Sequence, residues 1–266
     1  LYQGQYYFWQ KKQRGSPLRG SARSACVHFL QNHDQVGNTG VGERIDALTS
    51  HRRLRAATAL LLLGPQTPLL FMGQEFCASN RFMFFADHEP ELRKLVHNGR
   101  REFIAQFEAY ATEAVQAAVR DPGDEQTFID SKLNWDDVEK HSTTLELHKD
   151  LLRIRREDAV IAEQDEANLD GATLTDSAFV LRWFADDEAD RLLIVNFGRE
   201  ALLEPAPEPL LASPLGKTWQ LRWASEDPRY GGLGVIEPVS SDGRWRIPAE
   251  CAVLLNAHDS PVPHDA

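Results

Sequence analysis

The distribution of apolar positions changes character near residue 160. Before that point, short apolar runs alternate with helical stretches. Val27–Leu30 is a compact, mostly apolar run that ends abruptly at the polar stretch Gln31-Asn32-His33-Asp34-Gln35, the pattern of a buried strand opening into a loop. A helix is expected next, with Thr49 or Ser50 as N-cap, running through Leu63 to a stop at Gly64-Pro65. A second apolar run, Pro68–Met72, is closed by Gly73-Gln74-Glu75. Strand, helix and strand in this order predict a βαβ unit and hence parallel pairing.

Helical periodicity then dominates. Glu89–Ala111 puts Leu92, Leu95 and Val96 on one face, and Ser142–Glu157 aligns Leu147, Leu151 and Ile154 at i, i+4 and i+7. Asp121-Pro122-Gly123-Asp124 separates the two as a linker. From there the period shortens to two. Phe179–Phe184 and Leu192–Phe197 are rich in aromatic and β-branched residues, and Trp219, Leu221 and Trp223 alternate with Gln220 and Arg222, as in a strand with one buried face. Asp242-Gly243 before Arg244-Trp245-Arg246-Ile247 is a hairpin-turn signal, and the proline-rich stretch Glu204–Pro214 is a loop. The predicted architecture is α/β over residues 1–160, then an antiparallel β-sandwich over 161–258 able to bury a core of its own, then a disordered tail from 259 to 266.

Composition narrows the function classes. A hydrophobic share of 42% and a charged share of 26% are those of a globular protein. A net charge of −11 disfavours nucleic acid, whose phosphates call for a basic surface. No apolar run approaches the roughly 18 residues of a membrane span, and the start lacks the pattern of a signal peptide. Cys26, Cys77 and Cys251 cannot all pair and match no metal-ribbon spacing. Reduced thiols in the cytoplasm are the natural expectation, with neither metal nor cofactor implied. Gly37–Gly42 has neither a dinucleotide fingerprint nor a phosphate-loop signature, and the basic cluster Arg52-Arg53-Leu54-Arg55 reads as a solvated helix face.

The chemistry centres on Asn32-His33-Asp34-Gln35. A carboxylate at the carboxyl end of a buried parallel strand is where barrel enzymes keep their reactive groups. Read locally, Asp34 can equally cap a turn, with His33 an ordinary satisfied polar residue. Glu75, in the loop that closes the second apolar run, reads locally as a partner in a structural ion pair with an arginine. Phe82, Phe84 and Phe85 read first as packing residues, and Trp135 as one that docks a helix.

The stretch around Asn32-His33-Asp34 resembles a signature region of the α-amylase superfamily at the end of barrel strand seven. Thr67–Phe76 is similar to strand eight and its loop. The stretches Phe82–His88, Thr127–Trp135 and Ser225–Gly232 resemble the trehalohydrolases of that superfamily, and Tyr2–Tyr6 resembles their loop before strand seven. The resemblance implies the carboxyl-terminal part of a TIM-type (β/α)8 barrel, with strands seven and eight, followed by a β-sandwich. It assigns Asp34 as transition-state stabiliser and His33 as a sugar hydrogen-bonding residue, with Asn32, Gln35, Gln74, Glu75, Asp87 and His88 around the substrate. The implied substrate is a maltooligosyl-trehalose, an α-1,4-glucan.

Two departures stand out: Cys77 occupies a position where glycine is usual, and Cys26 one where a plain apolar residue is usual. Retaining glycosidases also need a nucleophile and a general acid, and none of the 33 residues before Asp34 is Asp or Glu. Together with a first residue that is Leu rather than Met, this leads to the expectation of a catalytically incomplete chain whose partner is the missing amino-terminal part of the same enzyme. The rival readings are another α-1,4-glucan enzyme, such as a branching enzyme or isoamylase, and a non-catalytic carbohydrate-binding module.

Overall fold

A computed structural model of the chain describes residues 3–18, 22–163, 167–185, 189–240 and 243–259. Tyr2, Asp242 of the expected hairpin turn, and residues 260–266 of the expected tail lie outside the described residues. The chain opens with an antiparallel hairpin, β1 (Gln3–Tyr7) and β2 (Lys12–Gly15), where a loop was expected. The βαβ unit follows. Strand β3 (Val27–His28) pairs in parallel with β4 (Thr67–Pro68), and the ladder closes with Leu69 N–H donating to the His28 carbonyl at 2.8 Å. Both strands are shorter than their apolar runs predicted, and Val27 is 53% exposed. A two-stranded ladder has no further neighbours to cover its faces, so pairing stops where the two chains diverge.

Between these strands lie α1 (His33–Gly37), α2 (Ile45–Leu48) and α3 (His51–Leu63). The α3 boundaries fall where the sequence placed them. Ser50 Oγ accepts the Arg53 N–H at 3.1 Å at one end, and Gly64 ends the helix at the other. Arg155 then satisfies the orphan carbonyls beyond that end, donating to Leu62 O at 2.9 Å, Gly64 O at 2.7 Å and Gln66 O at 2.9 Å. Next come α4 (Pro90–Ala105), α5 (Glu113–Ala118), α6 (Glu125–Asp130), α7 (Asp137–Lys140), α8 (Ser142–Glu157) and α9 (Ala159–Glu163). Helix α8 buries Leu147, Leu151 and Ile154 as its periodicity predicted. Helix α4 ends earlier than expected, and Leu92 and Leu95 are 48% and 68% exposed.

The second half is an unequal sandwich. Strands β5 (Leu169–Thr173), β6 (Ala178–Trp183), β7 (Arg191–Asn196), β9 (Lys217–Ala224) and β11 (Cys251–Asp259) form one antiparallel sheet in the order β5-β6-β7-β11-β9. Strands β8 (Ala201–Leu203) and β10 (Trp245–Ile247) pair as a small sheet over one of its faces. Val180, Leu192, Ile194, Val253 and Leu255 pack there against Trp245, Ile247 and Leu211. Trp183, Leu193, Val195, Trp223 and Leu254 point the other way, onto α3 and α8. The central strands are therefore apolar on both faces, while edge strand β9 keeps a strict alternation through Arg222.

The expected solvated face of α3 is instead its docking surface. Arg55 Nη2 lies 2.6 Å from Glu226 Oε1, with the two side chains 10% and 7% exposed. Arg52 contacts the other oxygen of Glu226 at 3.2 Å and donates to Ala249 O, while Arg53 pairs with Glu250 and donates to Phe197 O. The stretch Ser225–Gly232 completes this junction. Trp223 Nε1 donates to the Tyr230 hydroxyl, which donates to Asp150 on α8.

Candidate active site

Helix α1 begins one residue after Asn32, whose extended backbone and side chain make it the N-cap. Asn32 Oδ1 accepts the Gln35 N–H at 2.9 Å. This geometry commits Asn32 to holding the turn and leaves the next two side chains outward. The imidazole of His33 and the carboxylate of Asp34 lie 3.4 Å apart and are 70% and 74% exposed. Asp34 thus stands in the first turn of α1, beyond β3, free to meet a ligand. Gln35 is exposed as well. The buried Gln31 fixes the segment from beneath, its Oε1 accepting the Ile45 N–H at 2.9 Å.

The loop after β4 approaches from the side. Phe82 N–H donates to Gly42 O at 2.9 Å, which joins the Phe82–Phe85 stretch to the chain leaving α1. Phe71, Phe82, Phe85 and Phe128 form a run of edge-to-face contacts with centroids 5.0–5.7 Å apart, so Phe82 and Phe85 are packing residues. Phe84 turns outward under the Arg100 guanidinium, 4.7 Å from its centroid. Trp135, expected to dock a helix, is 68% exposed and rests against Phe76. Asp87 and His88 are exposed just ahead of α4. Among the described residues no hydrogen bond or ion pair connects them to Asp34.

Gln74 is buried at 4% exposure, and neither amide atom of its side chain has a hydrogen-bond partner among the described residues. Glu75 is half-buried between two groups. Its charge acts on Arg44 and on His148, but no arginine forms an ion pair with it within 4 Å among the described residues. Burial pushes His148 below the ordinary histidine range, so the imidazole is held neutral. Arg44 is the residue that sequence reasoning missed. It is 3% exposed and donates to Asn80 O and Met72 O, each at 2.8 Å, which clamps the turn that carries Gln74 and Glu75. Its only signal was an arginine two residues past a glycine-rich loop, a position that identifies nothing until the loop folds back.

Cys77 adopts φ +46°, the left-handed region where a glycine is most at ease. Burial raises its thiol to about 11, so it is protonated at neutral pH. Cys251 is raised to about 12 for the same reason. Among the described residues no group of three or more His, Cys, Asp and Glu side chains is placed to hold a metal ion, and no helix is long and apolar enough to cross a membrane.

A parallel βαβ unit followed by helices and an antiparallel sheet packed on the last of them is the fold of the α-amylase family of glycoside hydrolases. A crystal structure described as a candidate α-amylase from Salmonella typhimurium superposes with a TM-score of 0.71 at 26% identity, over 96% of this chain and 39% of that one. A trehalose-6-phosphate hydrolase from Bacillus licheniformis shares the fold at a TM-score of 0.54 and 16% identity, over 88% of this chain and 43% of that one. Residues 167–255 match a family model described as a domain of unknown function (DUF3459).

Within that class the sequence resembles malto-oligosyltrehalose trehalohydrolase. The protein of that name from Deinococcus radiodurans is 41% identical over 75% of this chain and 33% of its own length. The one from Brevibacterium helvolum is 36% identical over 81% of this chain and 36% of its own length. The chain spans about a third of the length of these curated relatives.

Proposed function

We propose that this chain supplies one wall of the active site of an enzyme that hydrolyses the α-1,4-glucosidic bond next to the terminal trehalose of a maltooligosyl-trehalose, releasing trehalose. The observation that carries this reading is the outward-facing His33-Asp34 pair on α1, in a chain whose curated relatives bear the trehalohydrolase name. In this role the Asp34 side chain faces the positive charge that develops on the sugar in the transition state. A fixed carboxylate helps most where charge appears during the reaction. His33 hydrogen-bonds a sugar hydroxyl, and Gln35, Glu75, Asp87 and His88 contribute to the surrounding cleft. Gln74 joins them when its buried amide meets a partner, and Asn32 acts by shaping the turn.

The nucleophile and the general acid of a retaining mechanism come from polypeptide outside these 266 residues, in a cytoplasmic enzyme. The test is trehalose release from maltooligosyl-trehalose by the 266-residue chain alone and by a polypeptide that restores the remaining two thirds of the relatives' length. The longer protein is expected to release trehalose and the shorter one none. Release by the shorter chain would overturn the shared-site reading, and inactivity of a folded longer protein would overturn the substrate assignment.

A further inference from the structure

The turn Gln74–Phe76 rests on the start of α8, which holds it at two points. His141 Nδ1 lies 2.9 Å from Phe76 O, and the Thr144 side chain hydrogen-bonds Cys77. One turn further along α8, His148 is 3% exposed, and its Nδ1 lies 2.9 Å from Thr144 O. A carbonyl only accepts, so Nδ1 carries the proton and Nε2 keeps a bare lone pair. That nitrogen is buried and has no hydrogen-bond partner among the described residues. The same holds for both amide atoms of Gln74 and for Nη2 of Arg44, so the polar groups around the turn carry unused bonding capacity.

Glu75, half-buried in that turn, is the one charged group among the described residues whose field reaches the imidazole, and it favours protonation. Charges on the other elements packed on α8 are engaged elsewhere. The arginines of α3 pair with Glu226 and Glu250, Lys140 of α7 with Asp137, and Arg229 with Asp227 and Asp150. Glu163 of α9 is exposed, and on α8 itself the neighbouring Lys149 and Glu146 pair with each other. Burial opposes a charge on His148, so the folded chain takes this proton only at a lower pH than the unfolded chain does. The neutral arrangement therefore loses stability as pH falls through the ordinary histidine value, about 6.5, towards the folded one. A proton on Nε2 turns an idle acceptor into a donor. We propose that His148 is a proton-triggered latch beneath the Gln74–Phe76 turn, which on protonation donates from Nε2 to Glu75 and draws that carboxylate inward. Where Glu75 borders a sugar, as proposed above, acid withdraws it from the ligand, but the latch itself does not depend on that reading.

The test is an NMR pH titration of the 266-residue chain across the histidine range. It follows the His148 ring protons and the indole N–H of Trp135, whose ring rests against Phe76 with centroids 5.9 Å apart. The His148 signal is assigned by its loss in His148→Gln or, where that variant does not melt cooperatively, in His148→Leu. His148 is expected to titrate below about pH 6.5, and the Trp135 indole to shift with the same midpoint. In Glu75→Gln, His148 should titrate at a still lower pH and the Trp135 response should vanish. A Trp135 indole indifferent to His148 protonation would overturn the latch, as would a His148 midpoint unchanged by Glu75→Gln. A Trp135 response that survives in the His148 variant would belong to His141, whose ring bonds Phe76 O, and would equally end the proposal. Trehalose release plays no part in this readout, so failure of the latch and failure of the trehalohydrolase reading are told apart.

Discussion

Asp34 and His33 are neighbours with almost identical exposure, yet their proposed contributions differ in kind. Asp34→Asn is nearly isosteric, so the shape of the site survives while the negative charge is lost. Losing one preorganised electrostatic contact of this sort costs on the order of 10²–10³ in rate, about 3–4 kcal/mol. His33→Ala removes a neutral hydrogen bond worth nearer 1 kcal/mol, about a fivefold effect. In the restored enzyme, kcat/KM for trehalose release should therefore fall far more for Asp34→Asn. Retention of over about a tenth of the activity would remove Asp34 from the role of transition-state stabiliser. The motif itself was readable from the sequence. That Asn32 would serve as N-cap, and so take a structural part, required the extended backbone at that residue.

At the level of elements, the loop after β4 is held by α7 as much as by its own chain. Asp137, 1% exposed, accepts the Ser79 N–H at 2.8 Å and the Ser79 hydroxyl at 2.7 Å. These bonds, the backbone one first, hold its carboxyl below the ordinary aspartate range. A carboxylate depressed in the folded state stabilises fully above its unfolded pKa, and the gain is lost as pH falls through that value towards the folded one. Acidification from pH 7 into and below the usual carboxylate range, roughly pH 4, should thus lower the melting temperature of wild type more than that of Asp137→Asn. At pH 7 the variant should be less stable by about 1–3 kcal/mol, since the amide loses the charge that strengthens both Ser79 bonds and turns an NH2 donor toward Asn134 Nδ2 and Lys140 Nζ. Parallel melting curves as a function of pH for the two proteins would refute this account. Neither Ser79 nor Asp137 could be paired from the sequence, because 58 positions separate them.

Across the whole molecule, α3 joins the β-rich half through two carboxylates, Glu226 and Glu250, of which Glu226 faces the more buried arginine, Arg55. Glu226→Ala would leave Arg55 buried with no counter-charge, a change of about 3–5 kcal/mol. Glu200→Ala, at the exposed pair with Arg246, should cost under about 1 kcal/mol. Urea denaturation of the two variants measures the difference, and equal losses would mean that the Arg55–Glu226 contact does not secure the junction. The same geometry explains why the β-rich half has a core of its own and still depends on its neighbours. The cluster around Trp245 and Ile247 lies wholly within it, whereas Leu193, Val195 and Leu254 are covered by helices from the first half.

Local physics sufficed wherever an element carries its own signal. The Ser50 cap and the Gly64 stop bracket α3, the stripe of α8 faces the core, and the alternation from Trp219 to Leu221 marks a strand with one buried face, although a register shift against β11 turns Trp223 to the opposite face from the one its spacing predicted. Each follows from bonds and periodicities confined to a few neighbouring residues. The Asn-His-Asp motif was legible for the same reason, being contiguous. Tertiary structure alone decided what distant residues do to one another. It converted the arginines of α3 from a solvated face into a docking face, turned Trp135 outward, and brought Arg44 onto the Met72 carbonyl. A charged side chain has the same sequence signature whether it meets water or a carboxylate 171 positions away, and only folding determines which of the two removes its cost.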